Sequence, residues 1–345
     1  MAKIIALTSL PTPYVLGHFI ESGIPRQNIF YTKNGKKRSN WQLNFHNNRI
    51  KNIKIFNRFF HKFLQSDKVW VSSYGDFISL ITAYASIFFR KRLILGPFEL
   101  PYNESFYRSI IRKILLYFPL KYSERCFVCS QNAKEYFGSM TYSSENICIK
   151  RYKALALSDY KKLDSNNKLT IMFSGALTTL RNPLSVIFAI KLLDKKQISN
   201  IRLIISGSGS QLAILKKELK RIDNLEYIID TRSETNIIHG YYAVSDVLIA
   251  PNIKSTWNMS IQEAMLHGVA IIGSNSVEAV KDLIGESGGG VIYNGDHSSQ
   301  ISSCIDQLIV NPKNLSKLKS KSLIYARKNF DELYVRDYDF VNLFG

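Results

Sequence analysis

The fold is indicated most directly by residues 247–273, which are VLIAPNIKSTWNMSIQEAMLHGVAIIG. A short apolar run, Val247–Ala250, stops at Pro251, and a polar loop leads into a helical pattern over Ser260–His267. Gly268 is the kind of residue that ends a helix, and a second apolar run follows at once. This order of strand, loop, short helix and strand is typical of a unit in a parallel sheet.

The same alternation extends over the rest of the chain and predicts an α/β protein with two doubly wound, Rossmann-like domains. The polar stretch 158–167 is the natural linker, so we predict one domain over 1–160 and another over 165–320. The predicted strands are Lys3–Ser9, Lys68–Ser72, Arg92–Leu95 and Arg125–Cys129 in the first half, and Leu169–Ser174, Ile201–Ser206, Leu225–Ile229, Val247–Ala250, Ala270–Gly273 and Gly290–Tyr293 in the second.

The charge of the chain is distributed unevenly. Of 345 residues, 46% are hydrophobic and 21% charged, which is typical of a globular protein and excludes a largely disordered one. Residues 1–165 carry 26 Lys and Arg against 10 Asp and Glu, a net charge of +16, whereas residues 166–345 carry 20 against 17, a net charge of +3. The asymmetry predicts an anionic partner for the first half: a membrane surface, a phosphorylated substrate or nucleic acid. The alternative is compositional drift in a Lys-, Asn- and Ile-rich sequence.

Secreted and membrane-spanning classes are disfavoured. The apolar run after Lys3 is too short for a signal peptide, and the longest apolar stretch, Phe77 to Phe89, is shorter than the ~20 residues of a bilayer span. Four cysteines do not make a disulfide framework in a chain of this length, and no second CxxC accompanies Cys126 and Cys129 to complete a zinc site. We therefore expect a cytoplasmic protein with buried, reduced thiols.

Chemistry is expected in the loops after the second-half strands, because ligands of open parallel sheets bind at the carboxyl ends of the strands. After the first strand, Gly175 marks a turn and Arg181 precedes a helix that starts at Pro183. The Arg181 guanidinium could bind a phosphate with two hydrogen bonds, or it could be a solvated residue at a helix start. After the second strand, Gly207 opens a turn that resembles GxGxxG without its last glycine, a weak motif because any tight strand-to-helix turn favours glycine.

The loop after Ala250 has the most informative pattern. The helix start at Asn258–Ser260 offers backbone N–H groups to an anion. Glu263 lies one turn inside this helix, where its carboxylate can accept hydrogen bonds from a sugar diol. The alternative is that the carboxylate only complements the helix dipole.

Together these motifs resemble the nucleotide-binding half of a GT-B glycosyltransferase, specifically of glycosyltransferase family 4. The similarity covers about residues 169–312, and the first half is similar mainly in layout. The resemblance implies that the two domains face each other across a cleft and that a C-terminal helix over 321–345 packs back toward the first domain. It is carried by Ser245-Asp246-Val247, Pro251, Glu263-Ala264-Met265, Gly268 and Gly288-Gly289-Gly290-Val291, with Leu10-Pro11-Thr12-Pro13-Tyr14 similar to the opening of bacterial surface-polysaccharide members.

The resemblance implies roles for individual residues. Glu263 matches the carboxylate that holds the donor ribose, and Arg181 matches a cation on the donor pyrophosphate. Two positions depart from the family: Ser255 replaces a glutamate that contacts the transferred sugar, and Ala176 replaces an arginine on the leaving group. Loss of that arginine removes about a few kcal/mol of charge stabilisation. The expected donor site also includes Gly175, Gly207 and the three phosphate-capping positions Asn258, Met259 and Ser260.

The implied reaction is transfer from a nucleotide-diphosphate sugar, of UDP or GDP, with retention of anomeric configuration. Family members generally work without a metal or other cofactor, and the sole Asp-x-Asp here, at Asp337 and Asp339, lies in the C-terminal tail. His18, after the first strand, and Glu99, after the Arg92–Leu95 strand, are candidate catalytic or acceptor-contacting residues. His18 could equally be an ordinary histidine on a helix face.

The basic first half then suits an anionic membrane surface, which attracts each nearby Lys or Arg by ~1 kcal/mol. Basic and aromatic residues interleave from Lys33 to Lys62, and a second basic group extends from Arg108 to Arg125. The pattern fits a peripheral enzyme on the inner face of the cytoplasmic membrane that extends a lipid-linked glycan for O-antigen or capsule. Part of it could instead be core, at Phe56, Phe59 and Phe60.

Three other functions are compatible with parts of the sequence. A catalytically inactive relative that serves as a membrane-bound assembly partner would explain Ser255 and Ala176. A sugar-nucleotide epimerase is possible on the same fold. A nucleic-acid-binding protein would explain the charge but not the donor-site pattern, so we expect no nucleic-acid partner.

Overall fold

The computed structural model describes residues 3–9, 12–32, 48–50, 53–101, 105–141, 145–152, 154–156, 167–232, 234–255, 257–330 and 333–334. The chain divides into two compact units, and the boundary between them lies between Lys153 and Ala154. It therefore precedes the predicted linker, which lies outside the described residues except at Asn167. Residues 335–345, the end of the predicted C-terminal helix, also lie outside them.

The described part of the first unit is one parallel sheet of six strands in the order β2-β1-β3-β4-β5-β6. Its strands are β1 Ile4–Thr8, β2 Ile29–Tyr31, β3 Lys68–Val71, β4 Arg92–Phe98, β5 Arg125–Val128 and β6 Ile147–Ile149. Its helices are α1 Pro13–Glu21, α2 Ile53–Gln65, α3 Phe77–Phe88, α4 Phe106–Tyr122 and α5 Gln131–Thr141, with a 3₁₀ turn at Arg26–Asn28.

The described part of the second unit has a second parallel sheet of six strands, in the order β10-β9-β8-β11-β12-β13, and a two-stranded pair of β7 and β14. The strands are β7 Leu155–Ala156, β8 Leu169–Ser174, β9 Ile201–Ser206, β10 Glu226–Asp230, β11 Val247–Ala250, β12 Ala270–Ser274, β13 Gly290–Tyr293 and β14 Leu333–Tyr334. The helices are α6 Pro183–Lys191, α7 Lys195–Ser199, α8 Leu212–Leu219, α9 Thr235–Val244, α10 Met259–Leu266, α11 Gly285–Ser287, α12 His297–Val310 and α13 Pro312–Asn329, with a π-helical turn at Val280–Ile284 before α11.

The predicted pair of doubly wound parallel sheets is confirmed. In the second unit the strand order reverses at β8, which places the crevice used by ligands of such sheets outside the ends of β8 and β11. Both faces of the sheet are covered, so strand residues are apolar in succession rather than in alternation. Ile171, Met172 and Phe173 in β8 and Leu203, Ile204 and Ile205 in β9 are all buried.

Local sequence rules set where several helices begin. The Thr12 hydroxyl accepts a hydrogen bond from the backbone of Val15, and Pro13 occupies the first turn of α1. Asp76 caps α3 by accepting from Ser79 N at 3.0 Å. Each cap satisfies a backbone donor that the helix itself leaves without a partner.

The last described helix, α13, runs from Pro312 to Asn329 and packs on the second unit, where the Ser322 hydroxyl donates to Val269 O at 2.8 Å and Lys319 Nζ donates to Asp246 Oδ1 at 2.6 Å. Residues 321–329 of the predicted C-terminal segment are part of this helix.

The four cysteines are free thiols. Three of them are buried, and burial raises the pKa of Cys126 and Cys129 above the usual thiol range. Among the described helices, none is both long and apolar enough to cross a membrane.

Candidate active site

The turns after β8 and β9 fit against each other at the carboxyl edge of the second sheet. Gly175 N donates to Ser206 O at 2.9 Å, and Leu177 N donates to Ser208 O at 2.9 Å. Gly207 has a φ of +151°, and a Cβ there would lie 1.9 Å from the Gly175 carbonyl oxygen. Gly207 is therefore required by the close approach of two backbones. A Cβ added at Gly175, in contrast, would have no atom within 4 Å.

The carboxylate of Glu263 lies inside this edge, held by a tyrosine. Glu263 is on α10 and only 8% exposed. The Tyr242 hydroxyl, on α9, lies 3.2 Å from Glu263 Oε2 and 3.1 Å from Ser174 Oγ at the end of β8. Burial, followed by the charge of Glu263, raises the pKa of Tyr242 well above its usual value, so the phenol stays protonated.

The start of α10 is shaped to receive an anion. Asn258 is the N-cap residue, and its side-chain oxygen accepts from the Ser260 hydroxyl at 2.8 Å instead of from the helix backbone. The first N–H groups of a helix have no partner within it, and the helix dipole makes this end positive. Trp257, which precedes the helix, is linked to it by a hydrogen bond: its indole N–H donates to Oε1 of the buried Gln262 at 2.8 Å. Met259 and Ser260, the first helical residues, are half-buried.

The loop that carries Arg181 is joined to the loop that leads to α10. Ile253 N donates to Leu180 O at 3.1 Å, and Arg181 N donates to Thr178 Oγ1 at 3.4 Å. Asn182 then adopts the left-handed conformation, with φ of +53°, before Pro183 starts α6. One backbone bond thus couples the predicted phosphate cation to the predicted phosphate-capping helix.

The two departures from the family pattern have different surroundings. Ser255 is buried and forms an isolated bridge with Val277, with its N–H donating to Ser276 O at 3.3 Å. The N–H of Glu278, itself a buried residue, donates to Ser255 O at 3.2 Å. Ala176, in contrast, is exposed on the turn after β8.

These features could serve a nucleotide diphosphate: a buried carboxylate that can accept from hydroxyls, a helix start that can bind phosphate, and an arginine on the adjoining loop. Residues 158–325 match the family model described as Glycosyl transferases group 1. The matched stretch lies within the second unit, Ala154–Asp337, and is just under half of the chain.

A protein similar to this chain is the GalNAc-alpha-(1->4)-GalNAc-alpha-(1->3)-diNAcBac-PP-undecaprenol alpha-1,4-N-acetyl-D-galactosaminyltransferase of Campylobacter jejuni. It is 23% identical over 272 residues, which are 77% of this chain and 71% of the relative.

Two solved structures share the fold of the whole chain. Anabaena HepE in complex with UDP and glucose has a TM-score of 0.69 at 13% identity, with 99% of this chain and 98% of HepE covered. The sucrose-phosphate synthase of Thermosynechococcus elongatus has a TM-score of 0.62 at 12% identity, with 99% and 97% covered. The chain therefore has the predicted GT-B fold.

Two histidines, His239 and His267, pack against the ring of Tyr242 in the candidate site. His239 Nδ1 and His267 Nε2 are 2.9 Å apart. The ring of Tyr242 lies 6.0 Å from that of His267, at 29°, and 5.8 Å from that of His239, at 89°. Burial, together with the charge of His267, lowers the pKa of His239 to about 3, and burial lowers that of His267 to about 4. The pair is therefore neutral at physiological pH, in contact with the tyrosine that holds Glu263.

Two predicted residues of the first unit, His18 and Glu99, both lie near Tyr152, which the sequence did not single out. The ring of His18 is 6.3 Å from that of Tyr152, and His18 is 1% exposed. Burial raises the pKa of Tyr152, and Cys129 and Glu99 raise it further through their charge and their hydrogen bonds to its hydroxyl. Glu99 O also accepts from the Tyr74 hydroxyl at 3.0 Å. The roles of His18 and Glu99 in the glycosyltransferase stay predictions.

The described residues hold no group of three or more His, Cys, Asp and Glu side chains that could bind a metal ion. Sequence reasoning missed the tyrosines, although one pattern pointed to Tyr242. His239 and Tyr242 are three residues apart on α9, so they share one face of that helix.

Proposed function

We propose that this glycosyltransferase moves a sugar from a nucleotide-diphosphate sugar to a lipid-linked oligosaccharide, with retention of anomeric configuration, during synthesis of a bacterial surface glycan such as O-antigen or capsule. It acts at the inner face of the cytoplasmic membrane as a peripheral protein, with no cofactor and no metal.

The observation that carries the proposal is the placement of Glu263 behind the start of α10. A buried carboxylate one turn inside a helix can accept from two sugar hydroxyls while the free N–H groups of the same helix bind phosphate. When the bond to the transferred sugar breaks, negative charge develops on the leaving phosphate oxygen. The helix start and the Arg181 guanidinium stabilise that charge, which lowers the barrier.

The relatives support a UDP donor and a lipid-linked acceptor. HepE structures contain UDP or UDP-glucose, and the name of the Campylobacter relative specifies an undecaprenol-linked acceptor. We therefore place UDP before GDP. Glu99 and His18, which meet at Tyr152, are the proposed contacts of the acceptor.

The surface of the first unit supports the membrane assignment. Three neighbouring helices expose apolar side chains, and α3 bears an apolar groove of about 470 Å³. The Tyr84 hydroxyl links α3 to α4 by donating to Leu115 O at 3.0 Å, and the rings of Phe63 and Phe89 link α2 to the end of α3. This apolar surface consists of Ile53, Phe56, Phe60 and Leu64 on α2, Phe77, Ile81, Phe88 and Phe89 on α3 and its cap, and Phe106, Tyr107, Ile110, Ile111, Ile114, Leu115, Phe118 and Tyr122 on α4.

Exposed apolar surface of this extent marks an interaction site. Exposed cations accompany it: Lys54, Arg58, Arg108, Lys113 and Lys121. Cations beside exposed aromatic rings favour a bilayer of anionic lipids as the partner.

The donor site is tested by thermal shift of the full chain with UDP, GDP, ADP, dTDP and CMP. A ligand at 100 times its Kd stabilises a protein by about 2.7 kcal/mol, enough for a visible rise in Tm. We expect UDP to raise the Tm of the wild type and of the control Glu234→Gln, an exposed residue, but not that of Glu263→Ala. If no nucleotide raises the wild-type Tm, the donor-site assignment is wrong and the inactive-partner function gains support.

A further inference from the structure

We infer that Tyr242 is a positioning residue: it fixes the Glu263 carboxylate for the two ribose hydroxyls of the donor and thereby sets a preference for ribonucleotides over deoxyribonucleotides. The inference rests on the proposed function, since it concerns the same donor site.

The first step is the direction of the hydrogen bonds. An ionised carboxylate only accepts, so the single phenolic proton of Tyr242 goes to Glu263 Oε2, 3.2 Å away. The Ser174 hydroxyl, 3.1 Å from the phenolic oxygen, then supplies its own proton to that oxygen. Tyr242 thus links one oxygen of Glu263 to the end of β8, and β8 is a central strand of the sheet.

The second step is what this bond does to the carboxylate. The terminal torsion of a glutamate is broad, so an untethered carboxylate samples many orientations. With Oε2 held, the orientation of the carboxylate plane is restricted, and the carboxylate can accept more than this one hydrogen bond because its two oxygens together accept about four. A ribose that lacks one hydroxyl leaves a buried acceptor of Glu263 without its partner, which penalises the deoxy ligand.

The third step concerns the ring, whose position does not depend on the hydroxyl. Tyr242 is fully buried and contacts His267 and His239 through its ring. Replacing it by phenylalanine therefore keeps the packing and removes only the hydroxyl, a change of nearly constant volume.

The adjacent residue supplies a matched control. The Tyr241 hydroxyl, on the same helix and also buried, donates to Asp230 Oδ2 at 2.7 Å at the end of β10. Tyr241→Phe therefore removes a buried phenolic hydroxyl that donates to a carboxylate other than Glu263.

The experiment is titration calorimetry of the full chain with UDP and with 2′-deoxy-UDP. We expect the wild type and Tyr241→Phe to bind UDP about tenfold or more tightly than 2′-deoxy-UDP, the value of a hydrogen bond to a charged group. For Tyr242→Phe we expect UDP binding to weaken toward that of 2′-deoxy-UDP, with the deoxy ligand nearly unaffected, so that the ratio approaches one. Ser174→Ala, which removes the hydroxyl that orients the phenol, should lower the ratio about threefold and provides a second variant should Tyr242→Phe fold poorly.

The outcomes separate the inference from the function it builds on. A wild type that binds neither nucleotide overturns the proposed UDP donor and the inference with it. A wild type that binds both equally leaves UDP as the donor and overturns the ribose role of Glu263 and Tyr242. Discrimination that survives in Tyr242→Phe, and is lost only in Glu263→Gln, overturns the role of Tyr242 alone.

Discussion

At the scale of single residues, the charge on the donor site is the most informative feature. The family pattern has two cations on the leaving group, and this chain has Arg181 but Ala176 in place of the other. Ala176 is exposed on the turn after β8. A longer side chain at the position where the cation is missing can therefore extend into solvent.

We predict that Arg181→Ala lowers kcat by about 10²–10³-fold, because it removes a preorganised cation from the phosphate on which charge develops. In the Arg181→Ala background, Ala176→Arg should recover about tenfold of the loss by supplying charge from the adjacent turn. The measurement is steady-state transfer with saturating donor sugar. Arg221→Ala, which removes an exposed arginine paired with Glu218 at 2.9 Å, serves as the control. Unchanged kcat in Arg181→Ala would show that the guanidinium does not contact the leaving group.

The sequence alone predicts site residues whose placement is local and misses contacts between distant parts of the chain. Glu263 and Asn258 could be placed because a helix start and a residue one turn inside it are fixed by spacing along one helix. The link of Glu263 to Tyr242 joins residues 21 apart on different helices, which no short pattern specifies. Gly207 has a structural explanation, since its space is taken by Gly175 O, a contact between two turns.

At the scale of elements, the His239–His267 pair joins α9 and α10, the helices that carry Tyr242 and Glu263. His239 is on α9 and His267 caps the end of α10. In the folded protein both rings are neutral because burial lowers the pKa of each, to about 3 and about 4. In the unfolded chain each histidine has a pKa near ~6.5.

This difference predicts a loss of stability on acidification. Between pH 6.5 and about 4 the two histidines bind protons in the unfolded chain but not in the folded one, so the free energy of unfolding falls as the pH falls, and this contribution is constant above pH 7. Each histidine contributes up to about 2 kcal/mol between pH 7 and pH 5. A pH series of Tm should show a smaller fall for His239→Leu than for the wild type. His61→Gln, at an exposed position, should keep the wild-type slope. If Tm falls with pH equally in His239→Leu and in the wild type, the buried pair does not cause the loss of stability at acidic pH.

Element prediction worked where the strands are four residues or longer and missed shorter ones. The predicted strands are confirmed, including β10 and β13 at the edges of the second sheet, because strands of a covered parallel sheet are largely apolar. The edge strands β2 and β6 were not predicted, since each has only three residues and leaves a short apolar run. On α2 the uncertainty about the phenylalanines is resolved: Phe59 is buried in the core, whereas Phe56 and Phe60 are exposed with rings 6.4 Å apart.

At the scale of the whole molecule, charge and apolar exposure coincide in the first unit. The net charge of +16 on residues 1–165 accompanies the exposed apolar side chains of α2, α3 and α4. Neither property alone identifies the partner, because cations suit any polyanion and apolar patches suit many proteins. Their combination is what an anionic bilayer needs: the cations attract the headgroups, and the aromatic and aliphatic side chains enter the interface. The basic run before α2, from Lys33 to Arg38, lies outside the described residues, so it counts toward the net charge of the sequence but not toward the described surface.

We predict that the full chain sediments with vesicles of phosphatidylcholine and phosphatidylglycerol in equal parts, and much less with phosphatidylcholine alone. Higher salt should weaken the binding, because salt screens the attraction between exposed charges. The double variant Phe88→Asp and Ile114→Asp changes two side chains that are 81% and 66% exposed, so the fold should persist. It should reduce binding at least tenfold, since an inserted Phe or Ile contributes about 1.5–3 kcal/mol.

The matched control for this prediction is Ile324→Asp. Ile324 is 64% exposed on α13 of the second unit, outside the apolar surface of α2, α3 and α4. It should leave vesicle binding unchanged although it also introduces a negative charge, one against the two of the double variant. Equal losses per introduced aspartate in the double variant and in Ile324→Asp would mean that binding follows net charge alone. Binding that persists in the double variant would place the membrane contact elsewhere on the chain.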